Sequence, residues 1–244
     1  MNPLPDLLQH RPLKQEIFEA LHERIIAGRY RPGEWLRQEE IASQMGVSMT
    51  PVREALDLLT AAGLAERVPY RGVRVMDLSP REIVEAYGKR LLLETVSARM
   101  AAARIRAEEI EELSRLLAEM DGYVRLEDMS HSRQLSRAFH LSIARASGDG
   151  LLVRLYLIVS NSFPDWMLYE AMFRHPELLA SSMADEQAEH RALLEALRQH
   201  DPARAARGAA EHVLHMGRNL QSMLGIPQND LHQQEEAVLP FLTI

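Results

Sequence analysis

Four side chains in the segment GVSMTPVREALDLL could read a polyanion: Ser48, Met49, Thr50 and Arg53. Ser48 suits a helix N-cap and Pro51 suits a first helical turn, where a missing N–H costs nothing. Met49, Thr50 and Arg53 would then project from an exposed helix start, with Arg37 upstream and Arg71 and Gly72 downstream. A guanidinium fork, hydroxyls and a helix N-terminus are the groups that contact base edges and phosphates. A second chemistry is offered by the ten histidines. Phe139-His140, Glu189-His190 and Glu211-His212 fall on segments with helical periodicity, but their separations of 50 and 22 residues carry no ligand signature. On residue type alone His131, His175, His200 and His215 are equal candidates. Arg90 is the third candidate, with Glu94 one turn away. The two could be a solvated i,i+4 pair, or Arg90 could be buried and require an anion.

These side chains need elements to hold them. Residues 34–76 read as two short helices at a tight turn and a small hairpin, the layout of a winged helix-turn-helix that sets one helix in the major groove. Ile41, Ala42 and Met45 give Gln38–Met45 an apolar face, and Gly46 breaks it. Val52, Ala55, Leu56 and Leu59 form the buried stripe of the second helix, which Gly63 ends. Strands are expected at 64–67 and 73–76, joined through Pro69, Tyr70, Arg71 and Gly72 as the wing. From Arg81 to Leu224 the periodicity is helical, with helices expected at 81–105, 108–126, 130–146, 150–161, 165–173, 183–199 and 202–224. Ser79 is the expected cap of the first. Breaks fall at Gly148-Asp149-Gly150, Pro164, Pro176 and Asp201-Pro202. The expected fold is mainly α: a winged helix-turn-helix at 1–76, a linker at 77–80, a bundle of six or seven helices at 81–224 that could enclose a ligand cavity, and a tail at 225–244, polar and then apolar, whose apolar end either docks on the bundle or a partner subunit or is disordered.

The 244 residues, 46% of them hydrophobic, suffice for two domains with cores. No cysteine is present, which removes disulfides and thiolate metal sites and fits a cytoplasmic protein. MNPLPDLLQH has no apolar run of a leader, and no stretch reads as membrane-spanning. The net charge of −7 lies in the second part: residues 1–76 hold ten basic and ten acidic residues, leaving eighteen against twenty-five. DNA affinity would rest on a local arginine patch formed by Arg24, Arg29, Arg31, Arg37, Arg53, Arg67, Arg71 and Arg74.

Residues 13–75 resemble the GntR family of bacterial transcription regulators, through Arg31-Pro32-Gly33-Glu34-Trp35-Leu36, Gly46-Val47-Ser48 and Pro51-Val52-Arg53-Glu54-Ala55-Leu56. Met49 departs from it, since relatives commonly carry Arg there. Residues 81–224 resemble the FCD domain, the helical ligand-binding domain of the FadR subgroup, through Tyr87, Arg90 and Glu94, Phe139-His140, Glu189-His190 and His212. The resemblance implies a metal site at His140, His190 and His212, plus an Asp four residues before the first His. Ser136 stands there instead. Three imidazoles can hold Zn²⁺ or Ni²⁺ with water or effector; alternatively Arg90, Ser136, His140, His190 and His212 line a metal-free polar pocket. The resemblance further implies a homodimer on a double-stranded DNA operator, acting as a repressor and answering to a small carboxylate effector held by Arg90. One arginine and several imidazoles beside a neutral Ser136 would make the cavity electropositive. The alternatives are a metal-dependent hydrolase using the three histidines and a metal-free regulator sensing an acyl-type ligand. Against the hydrolase, no HExxH pairing is present, and Glu189 and Glu211 point about 100° away from their neighbouring histidines.

Overall fold

A computed structural model describes residues 12–26, 29–123, 129–162 and 176–242. The chain divides after Asp77 into two compact units. In the first, α1 (Leu13–Ile26) packs Ile17, Leu21 and Ile25 against α3 (Met49–Ala61), whose Val52, Ala55, Leu56 and Leu59 are buried as the apolar spacing requires. Helix α2 (Gln38–Met45) ends at Gly46 in the left-handed conformation, φ 67°, which an L side chain rarely adopts. Ser48 occupies the N-cap of α3 with extended backbone, but its side chain makes no capping hydrogen bond. The expected cap is thus positional only.

The wing is an antiparallel pair, β1 (Ala65–Val68) and β2 (Gly72–Val75), in register Ala65↔Val75 to Val68↔Gly72. Both strands sit one residue from their expected spans. Gly72 begins β2 rather than closing the turn, and its φ of 113° explains the glycine. A third stretch joins the pair: Val75 N donates to Glu34 O and Leu36 N to Val73 O, both 2.9 Å, burying Leu36 between wing and helices.

The second unit has seven helices among the described residues: α4 (Pro80–Ala102), α5 (Ala107–Met120), α6 (Met129–Ala146), α7 (Gly150–Ser162), α8 (Pro176–Arg198), α9 (Pro202–Leu224) and α10 (Gln228–Leu242). Ser79 caps α4 in a capping box with Glu82, and Pro80 is its first residue. Asp149 Oδ1 accepts from the backbone of Leu151 and Leu152, and Asp201 Oδ1 from Ala203 and Arg204, so the expected breaks are N-caps. The helix expected at 165–173 lies outside the described residues. Residues 225–244 were expected as a tail; Gln228–Leu242 is instead a helix docked on α4. Leu231 and Leu242 are buried, and Tyr87 Oη donates to Glu235 at 2.6 Å.

Helix α4 packs against α6, α7, α8, α9 and α10. The core falls into two apolar clusters along it, one around Ala98, Leu113, Phe139, Leu193 and Ala209, the other around Tyr87, Leu91, Val213 and Leu220. Arg90, Glu94, Thr95 and Ser97 on α4 and His212 on α9 are buried polar residues on the helices that carry these clusters.

Candidate functional sites

His140 on α6, His190 on α8 and His212 on α9 are each at most 4% exposed. Their ring centroids lie 4.8–4.9 Å apart, and one ring nitrogen from each falls within 4.8 Å of the other two. His140 Nε2 and His190 Nε2 are 3.0 Å apart. His212 Nδ1 is taken by Glu189 Oε2 at 2.8 Å, which leaves Nε2 as its free nitrogen. Tetrahedral ligand nitrogens about 2.0–2.1 Å from a shared ion stand roughly 3.3 Å apart, so the His140–His190 pair already has about the spacing of a metal site. The side-chain chemistry suits it too. Burial, with His212, His190 and Arg90 charge nearby, holds His140 well below the ordinary imidazole range, and burial with His212 and Arg90 does the same to His190. Both are therefore neutral, as metal ligands must be. Burial opposes the charging of His212, but the Glu189 hydrogen bond and the charges of Glu94, Glu186 and Glu189 outweigh it and raise its pKa. His190 Nδ1 is buried without a hydrogen-bond partner.

Carboxylates surround the imidazoles. Glu94 Oε2 lies 3.3 Å from His140 Nδ1, near enough to orient the ring by its charge although not aligned as a hydrogen bond. Glu189 bridges His212 and His215 on α9, the latter at 2.5 Å. Glu189 does turn away from His190 as expected, yet that turn aims it at α9. Ser136 Oγ donates to Glu186 Oε1 at 3.2 Å. Arg90 is buried, as expected of a cavity residue, but its Nε donates to Glu94 Oε1 at 2.5 Å, and Nη1 meets Met216 Sδ at 3.2 Å. The i,i+4 pair is therefore real and buried rather than solvated.

With Glu94, Glu186 and Glu189 present, the side chains alone do not make this site electropositive. That expectation fails because it counted cations on α4, α6, α8 and α9 without the acids on the same helices. A divalent cation is what three converging imidazoles backed by carboxylates fit. Among the described residues the cavity beside the centre measures about 10 Å³, bounded by Glu94, Ser97, His140 and Tyr156. That holds about one water. Arg133, buried at i−7 from His140 on α6, also escaped the sequence reading, having no partner in sequence to flag it.

In the first unit, Ser48, Met49, Thr50 and Arg53 are exposed at the start of α3. A groove of about 650 Å³ is lined by Trp35, Arg37, Gln38, Met49, Arg71 and Gly72. Of the expected DNA-reading residues, Arg37, Met49, Arg71 and Gly72 line this groove, whereas Ser48, Thr50 and Arg53 are exposed on α3 but are not among its lining residues. The arginine patch is partly neutralised: Arg37 pairs with Glu40 at 3.6 Å, Arg74 with Glu66 at 2.6 Å, and Arg67 with Asp57.

Known proteins share this order of domains. Residues 13–75 match the bacterial regulatory proteins of the gntR family, and residues 82–215 match the FCD domain. A probable D-xylose utilization operon transcriptional repressor of Paenarthrobacter nicotinovorans is 32% identical over 190 residues, spanning 78% of this chain and 80% of that one. The chain belongs to the GntR family of bacterial transcription regulators. The HTH-type transcriptional repressor GlaR of Escherichia coli (strain K12) is 28% identical over 205 residues, 81% of this GntR regulator and 90% of that protein. The solved structure of E. coli McbR/YncC matches at a TM-score of 0.62 and 21% identity, over 87% of this chain and 99% of that one, a likeness of fold. These relatives are regulators, and the hydrolase alternative is dropped: this GntR regulator binds DNA and carries an effector domain with a three-histidine group able to hold a metal. No described helix is long and apolar enough to cross a membrane.

Proposed function

We propose that this regulator is a dimeric repressor whose helical domain senses a small organic acid through a divalent metal, Zn²⁺ or Ni²⁺, held by His140, His190 and His212. The observation that carries the reading is the convergence of three buried imidazoles from three helices, with Glu189 fixing the ring of His212 from behind and Glu94 standing behind His140. A metal supplies the positive charge that the surrounding carboxylates lack, and a bound acid completes its shell. Arg90 supports an anionic ligand from α4, though it would have to share its charge with Glu94.

The described cavity beside the centre, about 10 Å³, admits about one water, so the acid would sit outside it. A ligand that binds one packing of the helices better than another shifts the population toward it. A dimer fits two further observations. One recognition helix reads few base pairs, so an inverted repeat needs two copies. Leu151, Leu155 and Ile158 also stand exposed on one stripe of α7. The repressor reading follows the printed names of the P. nicotinovorans and E. coli relatives.

Metal analysis of the purified protein tests the centre. One Zn²⁺ or Ni²⁺ per chain is expected in the wild type and none in His190→Ala, because two imidazoles rarely hold a metal against buffer. A wild type that retains and binds no divalent metal overturns the reading.

A further inference from the structure

The start of α3 shows one apolar group among polar ones. Met49 is the first residue of the helix and is 52% exposed. Arg53 follows one turn later on the same row, while Val52, Ala55, Leu56 and Leu59 face the core. Met49 also lines the groove of the first unit, together with Arg37, Arg71 and Gly72. Of the acids that line this groove, Glu40 is paired with Arg37 at 3.6 Å. The first turn of α3 carries no acid. The acids further along the helix are engaged by cations, Glu54 by Lys14 at 3.5 Å and Asp57 by Arg67. The end of α3 thus meets a polyanion without negative charge of its own, and its foremost side chain is a thioether that the core does not use.

We propose that Met49 reads a thymine, its thioether packing on the 5-methyl group of that base in the major groove of the operator. The assignment builds on DNA binding by the first unit and is independent of the metal and the acid. In a helix-turn-helix the N-terminal residues of the second helix contact base edges. What Met49 can and cannot bond therefore decides what it selects. Its side chain has no donor, and its sulfur is only a weak acceptor. Guanine shows the major groove two acceptors, N7 and O6, which a thioether would cover and leave unbonded at the cost of their hydration. Adenine and cytosine present an amino donor that sulfur satisfies poorly. Thymine offers an apolar methyl beside its single acceptor. The unbranched, polarizable side chain of methionine adapts its shape to such a group. Arg53, one turn on, carries the donors that Met49 lacks, so one helix face would select neighbouring bases by opposite chemistries.

The test is selection of binding sites by the full chain from a library of random-sequence duplexes, run in parallel with wild type, Met49→Arg and Met49→Gly, with far-UV circular dichroism to verify folding. The wild type should enrich a sequence with a fixed thymine at a position where Met49→Arg enriches guanine, the base that a guanidinium reads through O6 and N7. Replacing that thymine by deoxyuridine, which lacks only the methyl, should weaken wild-type binding about fourfold, the worth of one methyl group taken out of water. Met49→Gly should bind the two duplexes equally, as read by fluorescence anisotropy. Identical enriched sequences for wild type and Met49→Arg, or an equal deoxyuridine effect in wild type and Met49→Gly, would overturn the assignment. A wild type that enriches no sequence overturns it as well. None of these outcomes moves the metal content of the protein, so the histidine centre stands or falls separately.

Discussion

At the scale of single residues, the three imidazoles differ in charge because their surroundings differ. His140 and His190 are depressed by burial, while His212 is raised by its carboxylate neighbours. The signs oppose each other in a metal-stripped protein. For His140 and His190 the unfolded chain protonates first, so their stabilisation is full above a pH of about 6.5 and declines as pH falls below it. For His212 it is full below about 6.5 and is lost as pH rises through the folded value. Two groups outweigh one, so the melting temperature of the stripped protein should fall between pH 7.5 and pH 5.5, and should fall less in His190→Gln. An unchanged or higher melting temperature at pH 5.5 contradicts that. In the DNA-reading face, Arg53→Ala should cost about 1–3 kcal/mol of operator affinity if the fork is bidentate to a base; equal operator binding by gel shift would place Arg53 outside the interface. Arg90→Ala is a poor probe of the effector, since it strands buried Glu94. Residue type and spacing in the sequence reached His140, His190 and His212 only through family likeness. The roles of Glu94, Glu186 and Glu189 were not legible, because they depend on how α6, α8 and α9 cross.

At the scale of elements, local signals were read well and long-range docking was not. Gly46, Gly63, Ser79, Asp149 and Asp201 mark helix ends by chemistry that acts within four residues, and the structure places ends or caps at all of them. Helix α10 escaped because its sequence is polar, contains Pro240 and buries little beyond Leu231 and Leu242, so only its fit on α4 reveals it. That fit is close. A Cβ at Gly217 on α9 would stand 2.6 Å from Tyr87 Oη and 2.8 Å from its Cζ, against a fully buried ring that donates to Glu235 on α10. Gly217→Ala gains about 1 kcal/mol of helix propensity, but overpacking a rigid aromatic costs about 1–3 kcal/mol. The substitution should therefore destabilise, and should loosen α10 first, read as faster amide exchange over 228–242. A more stable Gly217→Ala protein would show that Tyr87 can yield.

At the scale of the whole molecule, a net charge of −7 sits with a DNA-binding unit whose first 76 residues are together neutral and whose arginines are partly paired. Such a molecule depends on shape and a few well-placed contacts rather than on a long-range field. On the proposed reading the same economy governs its control: a ligand held among helices α4, α6, α8 and α9 would bias DNA affinity through different affinities for two packings. The central claim is that the acid acts through the metal of the histidine centre. It is tested most directly by fluorescence anisotropy of a labelled operator from the neighbouring promoter, titrated with hydroxy-, keto- and sugar acids and dicarboxylates. In the Ni²⁺-loaded wild type one class of acid should shift operator affinity about 5- to 150-fold. The EDTA-stripped protein and His190→Ala should bind the operator and ignore the acid. An equal response with the metal removed would contradict the account.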